Sequence, residues 1–419
     1  MNDEGITIYW PAKEGREEGV FFYGEATEAY LPNSHVRVAG HGDMIMLGSY
    51  SYLGLNGDER INQAAQEAIA KYGTGTLGVR LLAGTLDLHR RLEERIARFK
   101  GAETAVVSSS GFLANISTIC AIVGRSDVVI CDKLDHASIV DGCRLCGADV
   151  VRFRHNDMLH LERRLEQYQD RKLKLVVVDA VFSMDGDIIN LPEVSRLCRK
   201  YGALLMVDEA HSIGVLGETG HGIEEHFGLP PDSVDIKMGT FSKAIPSNGG
   251  YVATREGIAD AIRLNGRGYI YSASLAPASA AAACAALDII EAEPERVRRL
   301  HDNMAHFAAR LTEFGVDFRN SPTAIFPIMC GDDWSAYRLA HYCHGRGVYV
   351  QAIPHPVVPK GSARLRACTD ANLRKEQLDY CATVIRDGAD SLGLFNGREA
   401  NQRAGSGNGN GNERSYTRE

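Results

Sequence analysis

The sequence predicts an α/β fold, in which a large domain is built on a mainly parallel sheet and a smaller α+β domain lies at the C-terminal end. Short apolar runs alternate with helical stretches from residue 104 to about residue 275. Several of these runs are apolar throughout, which is typical of strands that helices cover on both faces. After a helical, Ala-rich stretch over 276–315, strands and helices mix over 316–390, which indicates the smaller domain.

Composition and charge narrow the class of protein. The chain has 419 residues, a length that favours two or three domains. Hydrophobic residues make up 44% and charged residues 24%, which are ordinary values for a globular protein. The 46 basic and 54 acidic residues leave a net charge of −8. Without a long basic run, such a surface argues against nucleic acid as a partner.

The distribution of cysteines and of apolar residues indicates the cellular compartment in which the protein is expected. Ten Cys residues are scattered along the chain, which indicates a reduced protein rather than a disulfide scaffold. The polar start MNDEGITIYWPAKEGREEG lacks the basic and apolar blocks of a secretory signal. No apolar run reaches the roughly 18 residues that a membrane span needs. We therefore expect a cytoplasmic protein with no membrane span.

The elements are assigned in order along the chain. An N-terminal arm over 1–50 is expected to contain a short strand pair, in HVRVAG and MIMLG. Two helices follow, one over 58–72 with Asp58 as N-cap and one over 88–101 that Gly101 ends. Helices are also predicted over 112–123, 157–169 and 192–201. The predicted strands around them are TAVVSS, DVVICD, DVVRF, KLVVVDAVF, ALLMVDEAH and IKMGTFS.

Shifts in composition divide the chain into four parts. The arm over 1–50 precedes a large domain over 51–290 and a small C-terminal domain over 291–397. Residues 398–419 are polar and rich in Gly, Asn and Ser. Such a segment cannot bury enough apolar surface to order itself, so a disordered tail is expected.

A lysine at the end of a predicted strand is the strongest chemical signal. Lys243 ends the run Gly239-Thr240-Phe241-Ser242-Lys243, in what reads as a Gly-rich turn closed by Asn248-Gly249-Gly250. Partial burial there would lower the pKa of the amine and leave it neutral for imine formation. The hydroxyls of Thr240 and Ser242 could bind an anion. The alternative is a surface lysine in a polar loop.

Three other strand ends carry polar residues. Asp208 and His211 follow ALLMVD, where ligands of open α/β sheets bind; an Asp that caps the next helix is the alternative. In Ser110-Gly111-Phe112 a strand turns into a helix whose first N–H groups could hold a phosphate; an ordinary turn is the alternative. His136 follows DVVICD, and its ring could stack on a flat cofactor or be satisfied by loop backbone.

Two further segments carry residues that could contact a substrate. The loop Phe182–Asp187 follows an apolar strand, and alternation places Arg364 and Arg366 on one face of a C-terminal strand. An arginine there could bind a carboxylate; an exposed edge strand is the alternative. The CxxC pair Cys143 and Cys146 has no second pair or His cluster to complete a metal site, and the neighbouring His341, Cys343 and His344 have no spaced partner. No metal site is therefore expected.

Taken together, these motifs resemble those of the α-oxoamine synthase family of fold-type-I enzymes that depend on pyridoxal 5'-phosphate (PLP). The resemblance covers roughly residues 20–395 and implies a seven-stranded, mainly parallel sheet. The matching motifs, in family order, are Tyr52-Leu53-Gly54-Leu55, Gly84-Thr85 with Asp87 and His89, Ser110-Gly111-Phe112 with Asn115, Asp135-His136-Ala137-Ser138, His155-Asn156-Asp157, Phe182–Asp187, Asp208-Glu209-Ala210-His211, Thr240-Phe241-Ser242-Lys243, Tyr271-Ser272-Ala273-Ser274 and Pro356–Gly361 leading to Arg364-Leu365-Arg366.

The resemblance implies roles for individual residues. Lys243 would form the imine with PLP, Asp208 would keep the pyridinium nitrogen protonated, and His136 would stack on the ring. His211 would contact the ring hydroxyl, with Ser183 close by. The phosphate would be held by the Ser110, Gly111 and Phe112 turn with Thr240 and Ser242, and by Ser272 of a neighbouring subunit in a homodimer with a shared site. Substrate contacts would come from Ser51 and Arg366.

The implied reaction is a decarboxylative condensation of a small α-amino acid with an acyl thioester, on CoA or an acyl carrier protein, to give an α-aminoketone. Ser51 stands where many members have Asn, and Val357 also departs from common members. These departures predict a specialised or lipid-like member with a fatty or polyketide acyl substrate. Another fold-type-I chemistry, such as transamination, is the first alternative, and a catalytically silent partner subunit is the second.

Overall fold

The computed structural model describes residues 25–394 without interruption, together with positions 15 and 17. The predicted tail over 398–419 and most of the first half of the predicted arm therefore lie outside the described residues. The predicted domain boundaries stay predictions, but the described part contains the two kinds of architecture that the sequence indicates.

A seven-stranded sheet forms the centre of the molecule, with the strand order β4-β10-β9-β8-β7-β5-β6. Strands β9, β8, β7, β5 and β6 run parallel to one another. This confirms the predicted mainly parallel sheet. The strands are β4 (Thr104–Ser108), β5 (Val128–Asp132), β6 (Asp149–Phe153), β7 (Lys174–Asp179), β8 (Leu204–Asp208), β9 (Ile236–Ser242) and β10 (Pro246–Thr254).

Strand β10 corrects the expectation for the segment after Lys243. Asn248-Gly249-Gly250 does not close a turn, because Pro246–Thr254 forms a strand that pairs antiparallel with both β4 and β9. The turn is confined to the three residues 243–245 between β9 and β10. Gly250–Thr254 is paired on both sides, which holds this part of the segment extended, and the register with β9 shifts between Pro246 and Gly250.

Thirteen helices have bounds in the described part of the chain. Asp58 caps the first of them, as predicted, by accepting a hydrogen bond from the Arg60 N–H. They are α1 (Glu59–Tyr72), α2 (Asp87–Phe99), α3 (Gly111–Ile122), α4 (Ala137–Leu145), α5 (Met158–Gln167), α6 (Leu191–Tyr201), α7 (Ile223–His226), α8 (Glu256–Asn265), α9 (Arg267–Ile270), α10 (Pro277–Ala292), α11 (Glu295–Glu313), α12 (Asp333–His344) and α13 (Lys375–Ser391).

Two smaller sheets accompany the central one. The predicted N-terminal strand pair is a three-stranded unit whose last strand pairs parallel with β12, near the other end of the chain. The third sheet has the order β11-β14-β13. The strands are β1 (Thr27–Leu31), β2 (His35–Val38), β3 (Gly42–Met46), β11 (Ile325–Gly331), β12 (Val348–Tyr349), β13 (Gln351–Ile353) and β14 (Ala363–Cys368).

Helix α11 connects the main apolar core to a second one. Val297 and Leu300 pack in the core on one face of the central sheet. Two turns later, Phe307 and Leu311 pack in the core around the β11-β14-β13 sheet. The helix therefore holds the small sheet against the carboxyl ends of the parallel strands, where polar side chains emerge. None of the helices in the described part is long and apolar enough to cross a bilayer.

Candidate active site

The site forms where the carboxyl ends of β7, β8 and β9 face the small sheet. Lys243 follows β9, and its Nζ lies 2.8 Å from Nε2 of His211, which follows β8. The lysine is half-buried, with its amine directed inward. Burial lowers the pKa of Lys243 to about 8, although Asp208 acts in the opposite direction. A substantial fraction of this amine is therefore neutral near physiological pH.

His211 connects the lysine to a buried tyrosine. Its Nδ1 lies 2.7 Å from the hydroxyl of Tyr52. Burial, and then the nearby charges of Lys243 and Arg366, lower the pKa of His211 well below its usual value. The imidazole is therefore neutral, with one ring nitrogen donating and the other accepting. It bridges the Tyr52 hydroxyl and the Lys243 amine.

Asp208 ends β8 as a buried carboxylate with two donors. One oxygen accepts from the side-chain amide of Asn115, at 2.7 Å, and the other from the backbone N–H of Ala210, at 2.9 Å. Asn115 lies on α3 and also donates to Ser138, at 2.8 Å. The carboxylate is thus oriented by α3 and by the backbone that follows β8. A carboxylate held in this way can bind a partner in a fixed position.

His136 precedes α4, and its ring is exposed to solvent. Its backbone N–H donates to the buried carboxyl of Asp179 at 2.9 Å, and its Nδ1 lies 2.8 Å from the Ser138 hydroxyl. The loop is anchored by these bonds while the ring is left open. The Phe112 ring and the His136 ring meet edge to face, with their centroids 6.3 Å apart.

The turn from β4 into α3 meets β9 and β10 at close range. The Ser110 hydroxyl caps the helix by accepting from Leu113, so the N–H groups of Gly111 and Phe112 belong to the unpaired first turn. A Cβ at Gly111 would lie 3.1 Å from the Thr240 side chain, and one at Gly250 would lie 2.6 Å from the Cα of Gly111. Glycine at both positions lets the backbone donors and hydroxyls share one small space.

The hydroxyls of this cradle are close to one another. Oγ1 of Thr240 lies 2.9 Å from Oγ of Ser242 and donates to the carbonyl of Gly249. Oγ of Ser272 lies 3.3 Å from Oγ of Ser109 in the same chain. Ser272 therefore lies next to the predicted phosphate cradle, and its predicted contact with a neighbouring subunit's phosphate stays a prediction.

Arg366 and Arg364 are both buried on β14, the central strand of the small sheet, and not on an exposed edge. Nε of Arg366 donates to the carbonyl of Ser183, at 2.6 Å. Its guanidinium lies 4.6 Å from the centre of the Tyr50 ring, which is 5.7 Å from Nζ of Lys243. Arg364 instead pairs with Asp185, at 2.6 Å. Arg366 is thus the arginine that the structure brings to the lysine.

Ser51 lies between the two tyrosines of this corner. Its Oγ is buried and has no hydrogen-bond partner among the described residues. Such a hydroxyl is available to a ligand that enters the site.

These residues fit pyridoxal phosphate. The cradle has the donors and the space for a phosphate, because two glycines keep Cβ atoms out of it. Asp208 offers a fixed carboxylate, Lys243 a partly neutral amine and His136 an open ring face. Holding PLP here would use the N–H groups of Gly111 and Phe112 and the Ser242 hydroxyl, together with the Thr240 hydroxyl once it releases the Gly249 carbonyl.

Sequence reasoning left three contributors out of the site. Tyr52 and Asn115 belong to matched motifs, but no spacing rule shows that they bond to His211 and Asp208. Tyr50 had no signal beyond its position beside Ser51. Cys143 is buried and Cys146 half-buried. Among the described residues, no group of three or more His, Cys, Asp or Glu side chains is arranged to hold a metal ion.

A cleft of about 740 Å³ leads from Lys243 to the surface. The β1–β2 hairpin, the start of α1 and the start of α10 form its walls. Its apolar lining comes from Leu31, Pro32, Val36, Met46, Ile61, Ala65, Ala278 and Ala282. Among the described lining residues, Lys243 and His35 are the basic ones.

Comparison with known proteins identifies relatives over most of the chain. The model of the family "Aminotransferase class I and II" matches residues 42–385. The 8-amino-7-oxononanoate synthase 1 of Bacillus subtilis (strain 168) is 43% identical over 355 residues, covering 85% of this chain and 90% of that protein. A serine palmitoyltransferase of Bacteroides ovatus is 41% identical over 378 residues, covering 90% and 95%. A solved serine palmitoyltransferase variant from S. paucimobilis, with bound PLP–myriocin aldimine, has a TM-score of 0.88 and 33% identity, covering 91% of this chain and 96% of that one.

Proposed function

This chain belongs to the α-oxoamine synthases of the aminotransferase class I and II family, PLP-dependent acyltransferases that condense an amino acid with an acyl thioester, and we propose that it joins a small α-amino acid to an uncharged fatty or polyketide acyl chain. The observation that carries this proposal is the Lys243 amine, which lies 2.8 Å from His211 and 5.7 Å from the centre of the Tyr50 ring, the same ring that lies 4.6 Å from the Arg366 guanidinium. The product is an α-aminoketone, released with CO2 and a thiol.

Bound PLP supplies an electron-withdrawing ring that stabilises negative charge on the Cα atom of the amino acid. Asp208, fixed by Asn115 and Ala210, would keep the proton on the ring nitrogen of bound PLP. His136 would cover one face of that ring, and His211 and Ser183 would lie beside it. The neutral amine of Lys243 removes the Cα proton, and its depressed pKa makes that amine available.

Arg366 binds the carboxylate of the amino acid, because a guanidinium matches two carboxylate oxygens. The unpartnered Ser51 hydroxyl supplies a further donor beside it. In the condensation, the Cα atom bonds to the acyl carbonyl carbon and the carbon–sulfur bond breaks, so the thiol leaves. The original carboxylate then leaves as CO2, and a proton returns to Cα.

The cleft supports the choice of acyl chain. Its lining combines apolar side chains with neutral Asn and Ser residues and one carboxyl group, that of Asp370, which would repel a negatively charged acyl chain. The free carboxylate of a dicarboxylic acyl chain would need a basic partner in the cleft. Apart from Lys243, the basic residue among the described lining residues is His35. An uncharged chain can lie there without leaving a charge unpaired. The thioester carrier is CoA or an acyl carrier protein.

A homodimer with a shared active site completes the proposal. Leu77, Leu82 and Tyr271 are 96%, 83% and 76% exposed. Their two segments are joined by the bridge between Val79 and Ala273, so these side chains belong to one surface next to Ser272. An apolar surface of this kind is typical of a protein interface. We assign it to a second copy of this chain.

A substrate panel tests the reaction. Glycine, L-alanine and L-serine are each combined with acyl-CoAs and acyl carrier proteins, and the products are identified by mass spectrometry. We expect CO2, free thiol and an α-aminoketone with a long, uncharged acyl chain. A strong preference for succinyl-, pimeloyl- or acetyl-CoA would contradict the acyl assignment. A keto acid formed without thiol release would indicate transamination instead.

Lys243→Ala tests the cofactor assignment. The purified variant is expected to lose the visible absorbance of lysine-bound PLP, since it lacks the amine that attaches the cofactor. Lys133→Ala, an exposed lysine near His136, is the matched control and should keep the band. Retention of the band in Lys243→Ala would refute the assignment.

A further inference from the structure

His155, which has no role in the proposed reaction, connects the segments that follow strands β5, β6 and β7. His155 lies two residues after β6. Its Nδ1 is 3.0 Å from Oδ1 of Asp132, the last residue of β5, and its Nε2 is 2.8 Å from Oδ2 of Asp187, in the loop after β7. The edge of its ring packs against Phe182, with centroids 4.4 Å apart.

The two contacts determine the protonation state of the ring. An ionised carboxylate only accepts hydrogen bonds, whereas a neutral imidazole has only one N–H to donate. Both ring nitrogens face carboxylate oxygens, so both carry protons and the ring is a cation. Burial alone would lower the pKa of His155, but its hydrogen bonds to Asp132 and Asp187 raise it to about 10.

The carboxylates on either side depend on this cation to different degrees. Asp132 is fully buried and also accepts from the backbone N–H groups of Leu134 and Asn156. The second oxygen of Asp187, Oδ1, is buried and has no hydrogen-bond partner among the described residues. The charge of Asp187 is therefore balanced mainly by His155. A neutral residue at 155 would leave that charge without its partner.

The loop over 182–187, which His155 contacts through Asp187, also hydrogen-bonds to Arg366. The backbone of Phe182 and Asp187 closes it, with the Phe182 N–H donating to the Asp187 carbonyl. Within it, the Ser183 carbonyl accepts from Nε of Arg366 at 2.6 Å. The Met184 carbonyl accepts from Arg364 at 2.9 Å. The position of the loop thus sets the position of the guanidinium.

We propose that His155 is a positioning residue: a charged imidazolium clamped between Asp132 and Asp187 that holds the loop over 182–187 and thereby aims Arg366 at the carboxylate of the amino acid. This rests on the proposed role of Arg366. The contacts of the His155 ring are with Asp132, Asp187 and Phe182. His155 acts by preventing the loop, and the arginine hydrogen-bonded to it, from shifting.

His155→Ala tests this in the holoenzyme. Glycine, L-alanine and L-serine are titrated in, and their dissociation constants are read from the cofactor absorbance. We expect these constants to rise about ten- to a hundredfold, because small displacements of a substrate-orienting group have effects of that size. Since the His155 side chain is 27% exposed, added imidazole should enter the vacated space and restore much of the affinity.

His306→Ala is the matched control. His306 also bonds to a carboxylate, Asp379, at 2.9 Å, and its side chain is 25% exposed, but it lies on α11 and bonds to α13. It should bind amino acids normally and show no response to imidazole. Normal amino-acid affinity in His155→Ala would overturn the proposal, and so would an equal loss in His306→Ala.

If His155→Ala does not fold, the variant Asp187→Asn and an NMR measurement on the wild type test the proposal instead. Asp187→Asn keeps the shape of the side chain but removes its charge, so a smaller loss of affinity is expected. In ¹⁵N NMR of the wild type at pH 7.5, both ring nitrogens of His155 should carry protons. A single ring N–H would overturn the imidazolium assignment.

The two proposals fail in different ways. Unchanged amino-acid affinity in Arg366→Gln would refute the carboxylate role of Arg366 itself, and with it the function assigned to the clamp. Weakened affinity in Arg366→Gln together with unchanged affinity in His155→Ala would refute the clamp alone. Weakened affinity in both, with imidazole rescue only in the His155 variant, supports both.

Discussion

Burial lowers the pKa of the Lys243 amine, against the opposing effect of the Asp208 charge. An ordinary lysine, with a pKa of 10.5, is about 0.03% neutral at pH 7, whereas a pKa of about 8 makes roughly a tenth neutral. The neutral His211 beside it adds no competing charge, because its own pKa is lowered by burial. The site thus holds a usable nucleophile before any ligand arrives.

The apoprotein should therefore take up PLP with a characteristic pH profile. Only the neutral amine attacks a carbonyl, so the uptake rate should rise about tenfold between pH 6 and pH 7 and level off above about pH 8. Stopped-flow absorbance measures this rate. Free N-acetyl-lysinamide should instead keep rising toward pH 10. A profile for the protein that matches the free amine would contradict the depressed pKa.

Which residues could be predicted at this scale depended on their place in the chain. The sequence could place Lys243, Asp208 and His136 at one edge of the sheet because each follows an apolar run, and strand ends share one edge of a parallel sheet. Tyr50 and Arg366 are far apart in sequence and meet only after the small sheet docks. No local pattern encodes that contact. The same holds for Asn115, whose amide reaches Asp208 from another element.

At the scale of elements, the junction of α3 with β10 controls the cradle. A Cβ on Gly250 would lie 2.6 Å from Cα of Gly111, so Gly250→Ala must push the strand away from the helix. We expect a loss of about 1–3 kcal/mol in unfolding free energy, together with weaker PLP binding. Chemical denaturation and cofactor titration measure the two effects.

Gly257→Ala is the control for this substitution. Gly257 is exposed on α8, and a Cβ there would meet nothing within 4 Å. Alanine should stabilise the protein by about 0.5–1 kcal/mol, because it restricts the unfolded chain more than glycine does. PLP affinity should not change. A Gly250→Ala protein as stable as Gly257→Ala would show that the helix–strand contact is not tight.

Predicting elements worked where one pattern dominated. The six apolar runs are strands β4 to β9, and the predicted helices agree with α1, α2, α3, α5 and α6 to within about two residues. Strand β10 was missed because PSNGGYVAT carries turn residues, and its pairing partners come from distant parts of the chain. Strand β1, which was not predicted, has little apolar character to indicate it. Ala29 and Leu31 are half-buried, and its other three residues are exposed.

At the scale of the whole molecule, the surface of Leu77, Leu82 and Tyr271 predicts assembly. A protein with both Leu77→Asp and Leu82→Asp would have to bury two unpaired carboxylates from each copy, four in the proposed dimer. We expect the dimer dissociation constant to rise more than about tenfold, which sedimentation velocity over a concentration series measures.

Leu159→Asp serves as the control for assembly. Leu159 is 70% exposed on α5, away from this surface. Its substitution also replaces an exposed leucine by a carboxylate, one per chain, but should leave the dimer intact. If the double variant stays dimeric at low concentration, the two copies meet elsewhere. If the wild type is a monomer, the shared-site proposal is wrong.

The pairing of β10 with β4 has a consequence for how the protein is made. Ser108 and Gly250 are register partners although they are far apart in the chain. During synthesis, the turn after β4 leaves the ribosome long before the strand that completes the cradle. Contacts between distant segments form slowly, because a long loop must close first. We therefore expect newly made chains to gain the ability to retain PLP late, as one of the last steps of maturation.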